Sequence, residues 1–183
     1  ITSGRAPRVY VWDTAIRVFH WSLVVGIAIA WSTGGSGHRM HEITGYCVAA
    51  LVAFRLIWGF IGTRHAKFTD FVVGPRSVAA YAADLARSRA RRYIGHNPAG
   101  SLMILALLLT IVVICSTGVM QLTNRYYGIA WVEELHHAAA TALLVLVPLH
   151  VLGAIASSVM HRENLVAAMI SGRKLATIVG QHT

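Results

Sequence analysis

Four of the ten histidines are the residues of this chain best suited to chemistry, and His136 and His150 are the clearest pair. They lie fourteen residues apart in a stretch, 135–160, that contains no Lys, Arg, Asp or Glu. On an α-helix this spacing leaves the two side chains about 40° apart on one face and about 21 Å apart along the axis. The stretch can cross a bilayer, where an imidazole is functional by default. The pattern indicates ligands for two separate metal centres, with His20 and His41 as further candidates.

The elements that must position these histidines are four apolar segments. The chain has 183 residues, 56% of them hydrophobic, and a water-soluble domain seldom has this composition. The segments long and apolar enough to span a membrane are residues 15–34, 41–62, 98–122 and 133–158. Because four spans leave little chain for anything else, we expect residues 1–183 to form a single all-α domain, an integral membrane four-helix bundle.

The distribution of positive charge predicts the topology. Thirteen of the sixteen Lys and Arg residues fall in the N-terminal segment, the loop 63–97 and the C-terminal tail. Four spans bring these three pieces to one side, which the positive-inside rule makes cytoplasmic together with both termini. The net charge of +9 therefore reflects topology, and nucleic acid is not an expected partner.

Within the loop, residues 75–92 have apolar side chains at helical spacing after a proline. They predict a short amphipathic cytoplasmic helix on the headgroups of the membrane lipid.

The alternating direction of the spans gives each histidine a depth. His20 falls in the cytoplasmic half of the first span, and His150 falls at a similar depth in the fourth. His41 and His136 both fall near the outer surface. The histidines therefore match in depth as two pairs, His20 with His150 and His41 with His136. His137 competes with His136, but its thirteen-residue spacing from His150 turns it away from that face, so His136 is preferred.

Two imidazoles at one depth suit a haem better than another metal centre. Haem iron takes one axial imidazole from each side, and an iron saturated in this way favours electron transfer over oxygen binding. Zinc would need four ligands that the spans do not supply. Neither cysteine belongs to a C-x-x-C-H motif, so covalent c-type attachment is excluded.

Two further residues of the second span fit the same cofactor. A guanidinium inside a membrane needs an anionic partner, and a haem propionate suits the planar fork of Arg55, although backbone or lipid phosphate are alternatives. Gly45 lies one turn after His41 and would let a porphyrin edge pass close to the helix. Glycine in a span also serves plain helix packing.

Most of the chain resembles the bacterial cytochrome b561 family, which is related to the cytochrome b subunits of nickel–iron hydrogenases. The matching pieces are RVYVWDTAIRVFHW (8–21), residues 41–71, GHNPAGSLMILALL (95–108), LHHAAATALLVLVPLH (135–150) and residues 161–174. The resemblance implies a multi-pass protein of the bacterial inner membrane with two haem b groups. It implies His20 and His150 on one haem, His41 and His136 on the other, and an arginine fourteen residues after the second-span histidine, which is Arg55.

Three functions are compatible with these features. The first is a dihaem cytochrome b that transfers electrons between the quinone pool and a redox partner, such as a c-type cytochrome or a dehydrogenase. The second is a superoxide:quinone oxidoreductase acting alone, which ranks lower because His38, Arg39 and Arg125 give the outer face only a modest positive rim. The third is an accessory or assembly subunit of a larger respiratory or photosynthetic complex. The sequence leaves open whether the chain is an enzyme in its own right.

Overall fold

Four long helices dominate the computed structural model, which describes residues 8–35, 39–63, 66–72, 74–87 and 97–175. The elements in chain order are β1 (Arg8–Tyr10), α1 (Thr14–Thr33), α2 (Arg39–Ile61), α3 (Phe68–Phe71), α4 (Pro75–Ala86), α5 (Pro98–Gln121), α6 (Ala130–Met160), α7 (Leu165–Ser171) and β2 (Arg173–Leu175). Helices α1, α2, α5 and α6 are each long and apolar enough to cross a membrane. Every end of these helices lies within three residues of the predicted span.

Side-chain caps begin three of the helices. Asp13, Asn97 and Asn164 each accept a hydrogen bond from the backbone N–H three residues later, at the starts of α1, α5 and α7. A cap of this kind satisfies one of the N–H groups that lack an intrahelical partner. Pro98 occupies the first turn of α5, where its missing N–H costs nothing. The caps therefore fix where these helices start.

The long helices pack in the order α1, α2, α5, α6, each against the next. Their core is a cluster of buried side chains at mid-height, formed by Val48 and Val52 of α2, Ile111 of α5 and Leu143 of α6. Among the described residues, α6 makes no extensive backbone contact with α1 or with α2. Helix α6, which carries His136 and His150, therefore packs mainly against α5.

Helices α1 and α2 form an antiparallel hairpin whose register sets the height of each histidine. The contacts that define this register follow one another along the hairpin: Ala30 with His41, Gly26 with Val48, Phe19 with Phe54 and Asp13 with Trp58. His20 therefore lies at the height of Val52, about 17 Å along the axis from His41. This separation is similar to that between His136 and His150 on α6.

A small sheet joins the two described ends of the chain. Strand β1 pairs antiparallel with β2, and the backbone N–H groups of Val11 and Trp12 donate to the Gly172 carbonyl at 2.8 and 3.2 Å. We call β1, β2 and Gly172 the terminal clasp. The all-α prediction did not include this sheet, because a three-residue strand is too short to show alternation. The clasp holds both ends of the described chain at one end of the bundle.

Helix α4 begins at Pro75, the residue from which the sequence predicted the amphipathic helix. Residues 88–92 of that prediction lie outside the described residues. The helix packs against α5, and Tyr81 is buried while Arg76 is exposed. One face of α4 is therefore covered by the bundle, and contact of the helix with lipid headgroups stays a prediction.

Candidate functional site

The first candidate site lies between α2 and α6, where His41 faces His136. Their ring centroids are 6.2 Å apart, and the ring planes are inclined at 74°. Two imidazoles on opposite sides of one metal ion have centroids about 6 Å apart, because each metal–nitrogen bond is about 2 Å long. The observed separation would therefore suit a metal ion held between the two rings. We call this pair the outer histidine pair, after the topology predicted from the distribution of charge.

Hydrogen bonds orient both rings of the outer pair. The Nδ1–H of His41 donates to the Ala30 carbonyl at 2.9 Å, and the Nδ1–H of His136 donates to the Ile114 carbonyl at 3.1 Å. The Thr117 hydroxyl oxygen lies 3.0 Å from the same nitrogen of His136. Because a carbonyl only accepts, each Nδ1 carries the proton, and each Nε2 keeps the lone pair that a metal requires. This is the arrangement in which proteins usually fix a ligating histidine.

Two glycines shape the surroundings of the outer pair. A Cβ on Gly118 of α5 would stand 3.3 Å from Cε1 of His136, so the imidazole ring lies directly against the α5 backbone. A Cβ on Gly45 would meet no atom of the described residues within 4 Å. Gly45 therefore borders open space one turn from His41, and this space is compatible with the predicted porphyrin edge.

His137 is turned away from this site. Its ring is exposed and meets that of His136 edge-on, with centroids 6.2 Å apart and an interplanar angle of 86°. His136 is half-buried and reaches α2 and α5 through the contacts described above. The helical rotation that favoured His136 over His137 in the sequence therefore matches where the two rings lie.

The second candidate site lies between α1 and α6, where His20 is close enough to His150 for their charges to interact. We call them the inner histidine pair. Nδ1 of His20 is buried and has no hydrogen-bond partner among the described residues, although such buried nitrogens normally have one. A Cβ on Gly153, one turn after His150, would meet no described atom within 4 Å. The buried ring nitrogen of His20 is therefore free to interact with a group that the described residues do not include.

Arg55 lies at the inner end of α2, about one turn from the height of His20. Its side chain is buried, with a relative exposure of 5%, and its guanidinium lies 4.9 Å from the centre of the Phe68 ring. No acidic residue is near Arg55 in sequence, but folding brings Asp13 within electrostatic reach of it. A buried guanidinium needs this kind of compensation. The propionate contact predicted for Arg55 stays a prediction.

Asp13 connects α1 to the inner end of α2. Its carboxylate accepts hydrogen bonds from the Ile16 N–H at 2.8 Å, from Trp58 Nε1 at 3.3 Å and from the Thr63 hydroxyl. Burial alone would raise the pKa of Asp13, but these hydrogen bonds outweigh it and hold the pKa below its ordinary value. Asp13 is therefore ionised at neutral pH. An acid just before a helix is recognisable in sequence as a cap, whereas its link to α2 is not.

The residues of the predicted outer rim do not form a described cluster. Arg39 is the first residue of α2 and is exposed, and the Arg125 guanidinium lies 5.5 Å from the centre of the Tyr126 ring. His38 lies outside the described residues. No contact between Arg39 and Arg125 is seen in the described part of the chain.

Comparison with known proteins gives one family. A family model described as prokaryotic cytochrome b561 matches residues 11–172. Three relatives are each named a probable Ni/Fe-hydrogenase B-type cytochrome subunit. They come from Bradyrhizobium diazoefficiens (24% identical, covering 92% of this chain and 86% of the relative), Rhodobacter capsulatus (25%, 93% and 82%) and Cupriavidus necator (23%, 94% and 89%). No solved structure matches the chain. Because the family model covers most of the sequence, this chain belongs to the prokaryotic cytochrome b561 family.

Proposed function

We propose that this protein is a membrane dihaem b-type cytochrome that transfers electrons between the quinone pool and a redox partner. Membership of the cytochrome b561 family implies that the protein binds haem b and takes part in electron transport in a membrane. The observation that carries the proposal is the outer histidine pair, His41 and His136, whose rings are 6.2 Å apart with both Nδ1 atoms bound to backbone carbonyls. Histidines that face each other inside an apolar bundle, each with its Nδ1 held by a carbonyl, support this assignment.

In this proposal His41 and His136 hold the outer haem, and His20 and His150 hold the inner one. Each haem, when bound, supplies a one-electron ferric–ferrous couple. The protein keeps the two sites apart by about 20 Å along the helices and fills the space between them with the apolar core at Val48 and Ile111. This layer excludes water from the route between the sites.

The partners follow from the family and from the topology. Three relatives are named as hydrogenase cytochrome subunits, so a hydrogenase-type dehydrogenase at the outer face is the redox partner we infer, with a c-type cytochrome as the alternative. The alignment with the Bradyrhizobium relative runs over 216 positions, more than the 183 residues of this chain. The relative therefore has inserted segments, and its partner contacts need not all be present here. The positive charge near both termini supports their cytoplasmic placement in a bacterial inner membrane.

The haem content of the purified protein tests the proposal. Protein isolated in mild detergent should contain two haem b per chain, determined as the pyridine haemochrome against the protein concentration. Both haems should be reduced by added quinol or by a low-potential donor. A preparation that binds one haem, or none after expression with sufficient haem, would contradict the dihaem assignment.

Replacing Thr117 with Val tests the orientation of His136. Thr117 is 3% exposed, and its hydroxyl oxygen lies 3.0 Å from His136 Nδ1, so Thr117→Val removes one of the groups that orient the ring. We expect the affinity of the outer site for haem to fall about 10- to 100-fold, as for other groups that orient a metal ligand, with the inner site unchanged. Haem transfer to apomyoglobin measures this loss.

Thr110→Val is the matched control. Thr110 lies on the same helix, and its hydroxyl donates to the Ala106 carbonyl, with no hydrogen bond to a histidine among the described residues. The control variant should retain haem as the unchanged protein does. Equal haem loss in the two variants would mean that the hydroxyls matter only for the helix.

A further inference from the structure

A group of side chains at the inner end of the α1–α2 hairpin has no part in haem ligation. Asp13 stands before α1, Trp58 and Arg55 lie one turn apart on α2, and Thr63 follows α2. Phe68 of α3 lies against the guanidinium of Arg55. These residues bring three elements of the chain to one place, about one to two helical turns from the height of His20.

The carboxylate of Asp13 is fixed more firmly than helix capping requires. One oxygen accepts the Ile16 N–H at 2.8 Å and caps α1. The other accepts from Trp58 Nε1 at 3.3 Å and from the Thr63 hydroxyl. A cap needs only the first of these bonds. The second oxygen is instead directed to α2, on which Arg55 precedes Trp58 by three residues and so projects from a neighbouring part of the helix surface.

The surroundings of Arg55 hold its guanidinium near the inner site. Phe54 stacks on Trp58 with centroids 5.6 Å apart, and it meets Phe19 at 6.4 Å. Phe19 immediately precedes His20, so the aromatic cluster connects the neighbourhood of Arg55 to the part of α1 next to His20. Gly59 has no side chain to displace Phe68, whose ring occupies the position that a Cβ would take. Phe68 thus contacts the guanidinium of Arg55 directly, and the aromatic cluster borders the same part of α2.

We propose that Asp13 is a positioning residue for the inner haem, because its carboxylate orients Arg55 and balances the charge of the guanidinium beside the His20–His150 pair. The inference rests on the proposed dihaem function. Asp13 does not touch the haem; it acts through Arg55. It sets how much of the guanidinium charge the inner haem experiences, and a less compensated positive charge favours the reduced form of that haem.

The test is a redox titration of the two haems in the Asp13→Asn variant. Asparagine is as good an N-cap as aspartate and retains an oxygen acceptor, so the variant removes the charge with little change at the start of α1. We expect the reduction equilibrium of the inner haem to shift about tenfold toward the reduced form, which for a one-electron couple is about 59 mV. The outer haem should not shift. The Asp13→Glu variant, which retains the charge, should stay close to the unchanged protein.

Asp84→Asn is the matched control. Asp84 lies on α4, which packs against α5 rather than against α1 or α2 in the described residues, and its substitution changes the net charge by the same amount. Neither haem should shift in this variant. If Asp84→Asn shifted the reduction potential of the inner haem as much as Asp13→Asn does, the effect would come from the net charge of the protein, and the proposal would be overturned.

A double-mutant cycle with Arg55→Gln separates positioning from a direct charge effect. If Asp13 acts through Arg55, Asp13→Asn should shift the inner haem much less when Arg55 is already glutamine than when it is arginine. Equal shifts in the two backgrounds would overturn the positioning role, as would no shift in either. If the Asp13→Asn variant does not accumulate, the Arg55→Gln variant is compared with the Asp13→Asn/Arg55→Gln double variant, in which the net charge is unchanged. We expect the inner haem to have the same reduction potential in these two variants.

Haem content separates failure of this inference from failure of the proposed function. Two haems per chain with no effect of Asp13→Asn would refute the role of Asp13 and leave the dihaem cytochrome intact. A chain that binds no haem at the inner pair would refute the proposed function itself.

Discussion

Replacing His136 with Ala should reduce the haem content from two per chain to one. His136 is the α6 member of the outer pair, and on the proposed ligation alanine would leave His41 as the only protein ligand of the outer haem. Loss of an axial ligand removes the bond that holds the haem and also opens a coordination position. The remaining haem should keep the low-spin spectrum of a bis-histidine centre. Pyridine haemochrome analysis and EPR of the oxidised protein measure the two effects.

His137→Ala is a control at the adjacent position. The two side chains have the same chemistry and differ only in direction, since His137 is exposed and His136 faces α2 and α5. This variant should retain two haems with unchanged spectra. If His137→Ala lost a haem and His136→Ala did not, the ligand assignment on α6 would be wrong.

Replacing Gly172 with Ala should open the terminal clasp and weaken haem binding at the inner pair. Gly172 has φ = 77°, and a Cβ there would stand 2.7 Å from the Trp12 carbonyl oxygen and 2.7 Å from the Tyr10 ring. The left-handed conformation alone costs a non-glycine residue about 1–2 kcal/mol, and the collision with backbone adds to this cost. We expect a loss of stability of about 2–4 kcal/mol.

The loss of haem binding should be greatest at the inner site, because Gly172 directly follows α7 and α7 contacts α1. Arg17 donates to the Ile170 carbonyl, and Trp21 Nε1 lies 3.4 Å from the Met169 carbonyl oxygen. Trp21 is next to His20, so movement of α7 reaches the inner ligand first. During a thermal ramp, the haem held by His20 should be released at a lower temperature than in the unchanged protein, while the outer haem is retained.

Gly128→Ala provides the comparison for this prediction. Gly128 also has a positive φ, 69°, but a Cβ on it would meet no described atom within 4 Å. It lies in the connection between α5 and α6, away from the clasp. Gly128→Ala should cost only the free energy of the left-handed conformation, about 1–2 kcal/mol, and leave haem release unchanged. If the two variants lost the same amount of stability, the close contacts around Gly172 would not contribute to the effect of Gly172→Ala.

The four long helices could be predicted because uncharged apolar stretches of this length have few alternatives in a membrane protein. The heights of the histidines along the bundle could also be predicted, since the direction of the spans alternates and the rise per residue of a helix is constant. Rotation about α6 separated His136 from His137 for the same reason. These predictions depend on the periodicity of a helix and not on any particular contact.

Contacts between distant parts of the chain could not be predicted in this way. The link from Asp13 to Trp58 joins residues 45 apart, and nothing in either local sequence indicates it. In the sequence, Thr117 does not differ from any other threonine of a helix, and its contact with His136 forms only because α6 packs against α5. The pairing of β1 with β2 spans nearly the whole chain, so its three-residue strands carry no local signal. Each of these features depends on how the helices pack, which the apolar pattern does not specify.

Locating the irons is the most direct measurement of the central claim, that two pairs of histidines each hold one haem. Anomalous scattering at the iron edge from crystals of the purified protein should give two peaks per chain, about 20 Å apart along the helix axes. One peak should lie between His41 and His136, and the other between His20 and His150. A single peak, or an iron bound away from these four side chains, would contradict the account.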